Sequence, residues 1–465
     1  MEFSTALICI FFTTLAASYA WGMRGAVIGG EKGAMLPGAF IGLILARFSG
    51  GAISECFWIP AAAGLMGMTF GGTETYGETI GMVLHRGRPD YRPIKGYTGL
   101  AMKGALWFSI CGGFIAISMA SMSLSFYKTS DLVIFCLLIP AIQQIGCRIF
   151  NCPYDKEKGI YPRIFYSLTR REEWGGNLTL LMAMIAMTVI RGDDFALAMI
   201  SAGFFFGAVG WIAAMKCYEL AVFPMRNGRY FFGKLYQRGI VDGWKLMEFV
   251  LGAFGGFGLS LTFCIRYEFI EKYNEAIKLN GIRFPDETFN DFIPAIILVC
   301  AAGILAINIY QFVCSKKNKK VNYFFWDQIE RPLYNVIPML FVLLGSVLSA
   351  KIMTMFMLVF VCCIKCVLDR FENSKLLPIG QTVSAAVCGA VLAGCFYDVY
   401  SPFVLMLAGT VPYLIAELIW AARDNSKKGR KFRDLILKTS FATVFPCFLI
   451  QSALILFTSW KFFNF

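Results

Sequence analysis

Apolar residues in this chain fall into long runs separated by short polar breaks. A helix that crosses the hydrocarbon core of a bilayer needs about 20 mostly apolar residues. Runs of that kind lie near 4–21, 33–49, 51–70, 99–121, 131–149, 176–191, 194–222 and 244–265, and further ones near 291–313, 334–350, 352–368, 376–397, 401–422 and 436–460. The pattern predicts an all-α fold: a polytopic transmembrane helical bundle of about 14 helices. The 352–368 run is the weakest of these, being short and carrying Lys365 near its end. No long Pro- or Ser-rich linker divides the chain.

Loop charge gives an orientation, because cytoplasmic loops collect Lys and Arg. The segments 86–95, 226–238, 316–320 and 427–433 are basic, whereas 266–291 holds Glu268, Glu271, Glu275, Asp286, Glu287 and Asp291. Placing the basic loops inside puts the acidic one outside, and an even helix count then puts both termini outside. The first run ends Ala17-Ser18-Tyr19-Ala20, similar to a signal-peptide cleavage site, but Glu2 precedes it and no Lys or Arg comes before Arg24. A secretory signal carries its positive charge before the apolar run, so the segment is expected to be the first membrane helix.

Composition sharpens this picture. The chain of 465 residues is 57% hydrophobic and only 16% charged, against about half apolar and a quarter charged in soluble domains. Gly, at 45 residues, suits helices packed closely in lipid. The net charge of +13 is accounted for by cytoplasmic loops, so nucleic acid is not implied as a partner. Most of the 16 Cys lie in apolar runs, where a free thiol behaves as a small hydrophobe. Cys362, Cys363 and Cys366 lie close together, but their run holds no His. Neither a metal site nor a cofactor nor a disulfide framework is expected.

Ionisable groups inside membrane segments are costly and mark candidate sites. They gather in residues 1–265, expected to be the working half; the more apolar 266–465 is expected to act as scaffold or dimer face, with Asn308, Lys365, Gln381 and Glu417 as its polar exceptions. Trp21-Gly22-Met23-Arg24-Gly25 leads into Gly29-Gly30-Glu31-Lys32-Gly33. Glycine permits a broken helix there, and a tight turn at the interface is the alternative. A second group runs from Gly71 to Glu78; on one continuous helix Glu74 and Glu78, four apart, share a face, as in a proton or cation site. A third group is Arg170-Arg171-Glu172-Glu173-Trp174 with Asn177, which Gln143, Gln144 and Arg148 on the preceding helix could face. A fourth is Asp242-Gly243-Trp244-Lys245 with Glu248, to which Glu219 could be joined. Charged neighbours of this kind also form plain structural networks. Trp21, Trp174 and Trp244 suit stacking on a sugar ring or, more simply, an interfacial aromatic belt. His85, the only histidine, stands beside basic residues and is expected at a surface. Asp193 and Asp194 occupy a short turn and suit a helix N-cap.

Lys32, Lys103, Asn177 and Lys245 stand at similar places in successive helices, at steps of 71, 74 and 68 residues. The spacing suggests repeated two-helix hairpins in the first half, against a background in which Gly and Phe match by chance.

Ala20-Trp21-Gly22-Met23-Arg24-Gly25 and Gly30-Glu31-Lys32-Gly33-Ala34-Met35, with Gly71–Gly77 and Gly243–Gly256, resemble a pattern in a group of uncharacterised bacterial polytopic inner-membrane proteins. The resemblance covers about the first 260 residues. It implies a shared fold and a bacterial inner-membrane location, and carries no activity. Gly81–Arg88 is also faintly similar to the basic loop of major facilitator transporters, without its acidic residue.

Together these features lead to the expectation of a secondary transporter for a small polar or anionic solute, such as a sugar or sugar acid. Arg24, Lys32, Trp21, Asn177, Trp244 and Lys245 would bind solute, and Glu31, Glu74, Glu78, Glu219 or Glu248 would bind protons or Na⁺. The expected partners are the bilayer, the solute and a second copy of the chain. The alternative is an integral membrane enzyme, such as a lipid-linked glycosyl or acyl transferase, although the chain lacks a large catalytic loop and a His-based nucleophile set.

Overall fold

The structure, a computed structural model, describes residues 1–24, 34–72, 74, 76–222, 243–283, 287–317 and 323–359. The helices are α1 (Phe3–Arg24), α2 (Met35–Phe48), α3 (Gly51–Glu55), α4 (Trp58–Gly72), α5 (Gly77–Leu84), α6 (Pro93–Ser121), α7 (Thr129–Phe150), α8 (Trp174–Arg191), α9 (Asp194–Val222), α10 (Gly243–Ile265), α11 (Tyr267–Asn280), α12 (Glu287–Lys316), α13 (Tyr323–Tyr334), α14 (Val336–Leu343) and α15 (Val347–Val359). Among the described residues there is no strand beyond one isolated bridge, Asp155 to Ile160. Seven of these helices, α1, α6, α7, α8, α9, α10 and α12, contain segments long and apolar enough to cross a membrane. The protein is an all-α polytopic helical bundle and an integral membrane protein.

Six helices close a ring. α1 packs on α2, α2 on α4, α4 on α6, α6 on α9, α9 on α10, and α10 returns to α1. Indoles fill part of the interior: Trp21 lies parallel to Trp107 at 5.5 Å, and both are fully buried. The α7–α8 hairpin rests on α6, and α14 and α15 pack against α4.

Two ring members are too short to span. α2 has 14 residues and α4 has 15, so each is about 22 Å long, against a hydrocarbon core of about 30 Å. Every residue of α4 is buried. The pair is held by backbone contact. A Cβ on Gly38 would lie 2.0 Å from the Gly64 carbonyl oxygen, and one on Gly42 would lie 2.1 Å from that of Pro60. Small residues allow such approach where no hydrophobic force separates helix from lipid. Gly104 of α6 and Gly207 of α9 repeat the device.

At the end away from the basic 86–95 loop, Asp193 caps α9 by accepting the Ala196 N–H at 2.9 Å, as its sequence position suggested. It also accepts the hydroxyls of Tyr127 at 2.6 Å and Tyr273 at 2.7 Å. Arg283 donates to the Ser121 and Ser123 carbonyls, both at 2.8 Å, and to that of Tyr127; burial pulls its guanidinium down to about 10.

The sequence-based spans differ from the structure in several places. The 51–70 run is two helices, α3 and α4, and the 334–350 run divides between α14 and the start of α15. The acidic 266–291 segment contains α11, whose Ile270, Tyr273 and Ile277 are buried along one face. α5 and α13 also form where loops were expected. The spans near 376–397, 401–422 and 436–460, most of 352–368, and Cys362, Cys363, Cys366, Lys365, Gln381 and Glu417 lie outside the described residues.

Gly38→Ala is expected to cost about 3 kcal/mol or to prevent folding, because its methyl would meet backbone rather than a movable side chain. Gly77→Ala, with nothing within 4 Å of its Cβ, is expected to change stability by less than about 1 kcal/mol. Thermal unfolding in detergent, followed by loss of the monodisperse peak, distinguishes the two.

Candidate functional site

α4, which ends at Gly72, and α5, which starts at Gly77, both lie along α6. Gly71 abuts Trp107, halfway along α6, while Gly96, near the start of α6, abuts Thr79 and Val83 of α5. The break therefore falls at the depth of the middle of α6. Irregular backbone at membrane depth is stable only where protein or a cavity surrounds it.

Glu74 occupies this break and is 3% exposed. Its Oε1 accepts the Asn177 Nδ2 at 2.7 Å, and the same amide nitrogen donates to the Phe70 carbonyl at 2.9 Å. The orientation of the Asn177 amide follows from the carbonyl, which can only accept. Its Oδ1 in turn accepts Gln143 Nε2 at 3.2 Å. Glu74 Oε2 is buried and has no hydrogen-bond partner among the described residues. Thr69 hydrogen-bonds Asn335 just below.

Asn177 and Phe70 form part of the wall of a cavity of about 630 Å³, counting its open mouth. Gln143 and Gln144 of α7, Arg171 and Glu173 before α8, and Arg331 and Asn335 around the end of α13 supply its polar groups. Arg331 pairs with Glu173 at 2.5 Å, both less than one-fifth exposed. The C-terminal end of α4 and the N-terminal turn of α8 thus meet the same space. Such helix ends carry opposite partial charge.

Behind the cavity lies a second buried group. Lys103, 1% exposed, donates to Thr79 Oγ1 at 2.9 Å and pairs with Glu172 at 3.3 Å. Glu172 also accepts the Tyr166 N–H at 2.7 Å. Burial pushes the Glu172 carboxyl above its ordinary value, with Lys103 and the Tyr166 N–H opposing.

The residues singled out in the sequence separate into distinct places. Asn177 and Glu74 meet, and Gln143 faces Asn177 as its position suggested. Glu78 does not share a face with Glu74, because the break turns it away; it holds the loop after α7, accepting Ser167 Oγ at 2.9 Å, Leu168 N at 2.7 Å and Thr169 N at 3.0 Å. Glu248 accepts Trp244 Nε1 at 3.0 Å and the Tyr76 hydroxyl at 3.1 Å. Glu219 does not join Glu248; it pairs with Lys216 at 3.0 Å and accepts the Tyr97 hydroxyl. Trp21 and Trp174 are buried within protein rather than set in a lipid-facing belt. His85 is half-exposed and meets Asp90 at 2.7 Å. Glu31 and Lys32, and the side chains of Arg24 and Lys245, lie outside the described residues.

Sequence reasoning missed Arg331 and Asn335 as cavity residues and Lys103 as a partner of Glu172. Lys103 stood out only as a repeat anchor, and Arg331 lies just before the 334–350 run with no motif around it. Among the described residues, no three His, Cys, Asp or Glu side chains gather as a metal-ligand set. No family model matches this sequence, and comparison with curated proteins and with solved structures gives no match.

Charge reversal tests the Glu173–Arg331 wall. Glu173→Arg and Arg331→Glu are each expected to destabilise by about 1–3 kcal/mol, and the double exchange to recover a large part of that loss. Unfolding midpoints of the two single variants and the double variant give the coupling directly.

Proposed function

We propose that the protein is a secondary transporter of a small polar or anionic solute, such as a sugar or sugar acid. It would act in a bacterial inner membrane with both termini outside, driven by a gradient of protons or Na⁺. The observation that carries this reading is the Glu74 carboxyl, buried in the break between two half-helices and joined through Asn177 to the wall of an open cavity. Short or interrupted helices with binding sites at their broken ends are a recurring design in secondary transporters.

The cavity chemistry supports the solute class. Gln143, Gln144 and Asn335 bring carboxamides, a group that both donates and accepts, as a hydroxyl-rich solute requires, while Asn177 turns both its N–H bonds to Glu74 and Phe70. Arg171 and Arg331 outnumber Glu173, which favours an anionic group. Glu74 would hold the coupling ion, and the carboxamide of Asn177 would link it to the solute.

Reconstituted vesicles test this. A panel of neutral sugars, sugar acids and simple carboxylates is offered with and without an imposed proton or Na⁺ gradient. Gradient-dependent accumulation of at least one solute is expected, abolished by Glu74→Gln, with Arg331→Gln weakening an anionic solute about 10- to 100-fold. Absence of gradient-dependent accumulation for every solute on the panel would defeat the proposal.

A further inference from the structure

Resting on the transporter reading, we infer that the coupling ion is a proton carried on Glu74 Oε2, and that Lys103 is a built-in counter-charge that sets when the proton leaves. Lys103 is here a positioning residue acting through Glu74.

Charge and hydrogen bonding choose the proton over Na⁺. A bound Na⁺ needs several oxygens turned toward it, of the kind that unwound backbone and helix C-termini supply. Among the described residues, the neutral group that meets Glu74 presents a donor instead. Asn177 directs Nδ2 at Oε1, its Oδ1 is occupied by Gln143, and the Phe70 carbonyl is engaged by the same Nδ2. An N–H beside the carboxylate repels a metal cation and tolerates a proton. Oε2, with no partner among the described residues, has room for one.

The charges acting on Glu74 are Lys103 with one sign and Glu172 and Glu173 with the other. Glu173 is offset by Arg331. Among the described residues that leaves Glu74, Glu172 and Lys103 as the deeply buried charges, at 3%, 7% and 1% exposure, with the partly exposed Lys95 also acting on Glu172. Two buried carboxylates and one buried ammonium sum to one negative charge, and an uncompensated buried charge is strongly disfavoured. One proton removes it. The ammonium already spans α6, α5 and the loop before α8 through Thr79 and Glu172. The proton moves without covalent chemistry elsewhere: hydronium on one side gives its proton to Oε2, forming O–H and leaving water, and water on the other side accepts it as hydronium, restoring the carboxylate.

Infrared difference spectroscopy on the purified full-length protein in phosphatidylcholine vesicles, titrated with pH and needing no solute, tests this. The wild type is expected to show a protonated-carboxyl band that titrates and is absent from Glu74→Gln. Lys103→Gln should move its midpoint up by about one pH unit or more, and Glu172→Gln should move it down. Lys103→Arg, which keeps the cation, should leave it near wild type and guards against a variant that merely misfolds. Exchanging K⁺ for Na⁺ at fixed pH should leave the band unchanged. A band that does not depend on Glu74, midpoints that fail to move in opposite directions, or displacement of the band by Na⁺ would each overturn the inference. Because no solute is used, a failed uptake panel with the expected titration would remove the transport reading alone.

Discussion

Gly38 and Gly64 bring the backbones of α2 and α4 into direct contact, and the rest of the structure is arranged around that contact. In lipid a helix gains nothing from hiding apolar surface against another helix, so close packing must supply the attraction. Two helices too short to span cannot be stable alone at that depth. They persist because each is wrapped: α1 flanks α2, and α6, α14 and α15 flank α4. The ring is thus a device for keeping two incomplete helices buried.

What it shelters is an end of backbone with unmet polar groups. One group of the last turn of α4 finds its partner in a side chain from elsewhere, as Asn177 reaches the Phe70 carbonyl, and beside it the Thr69 hydroxyl donates to Asn335. The same side chains then serve the cavity. The cost of interrupting a helix inside the membrane is met by groups that also form a polar wall, which is why structure and candidate chemistry coincide there. The chain beyond residue 265 takes part, because Arg331 and Asn335 close the wall.

The fold class was legible because membrane depth imposes length and apolarity on each span. The breaks were partly legible. Gly71-Gly72 and the charged residues after them marked the end of α4, but the sequence could not say whether Glu74 and Glu78 stayed on one helix. That depends on where the backbone turns, which tertiary partners decide. α11 could be found in principle from the spacing of Ile270, Tyr273 and Ile277, and was hidden by the six acidic residues of its segment. The pairing of Lys103 with Glu172 was beyond local reading, since 69 positions separate the two. Arg331 was harder still, because its partner Glu173 lies 158 positions away.

The aromatic packing has an optical consequence. Trp21 and Trp107 lie 10° from parallel, and Tyr76 stands edge-on to Trp107 at 5.9 Å and nearly parallel to Trp244 at 5.7 Å. Tyr76 is two residues from Glu74 in the same break. Rings at these separations share excited states, and the strength of that sharing depends steeply on angle and distance. Any rearrangement of the break would therefore alter the near-ultraviolet circular dichroism of the protein without a label. The protein carries its own chromophores at the point where its backbone is interrupted.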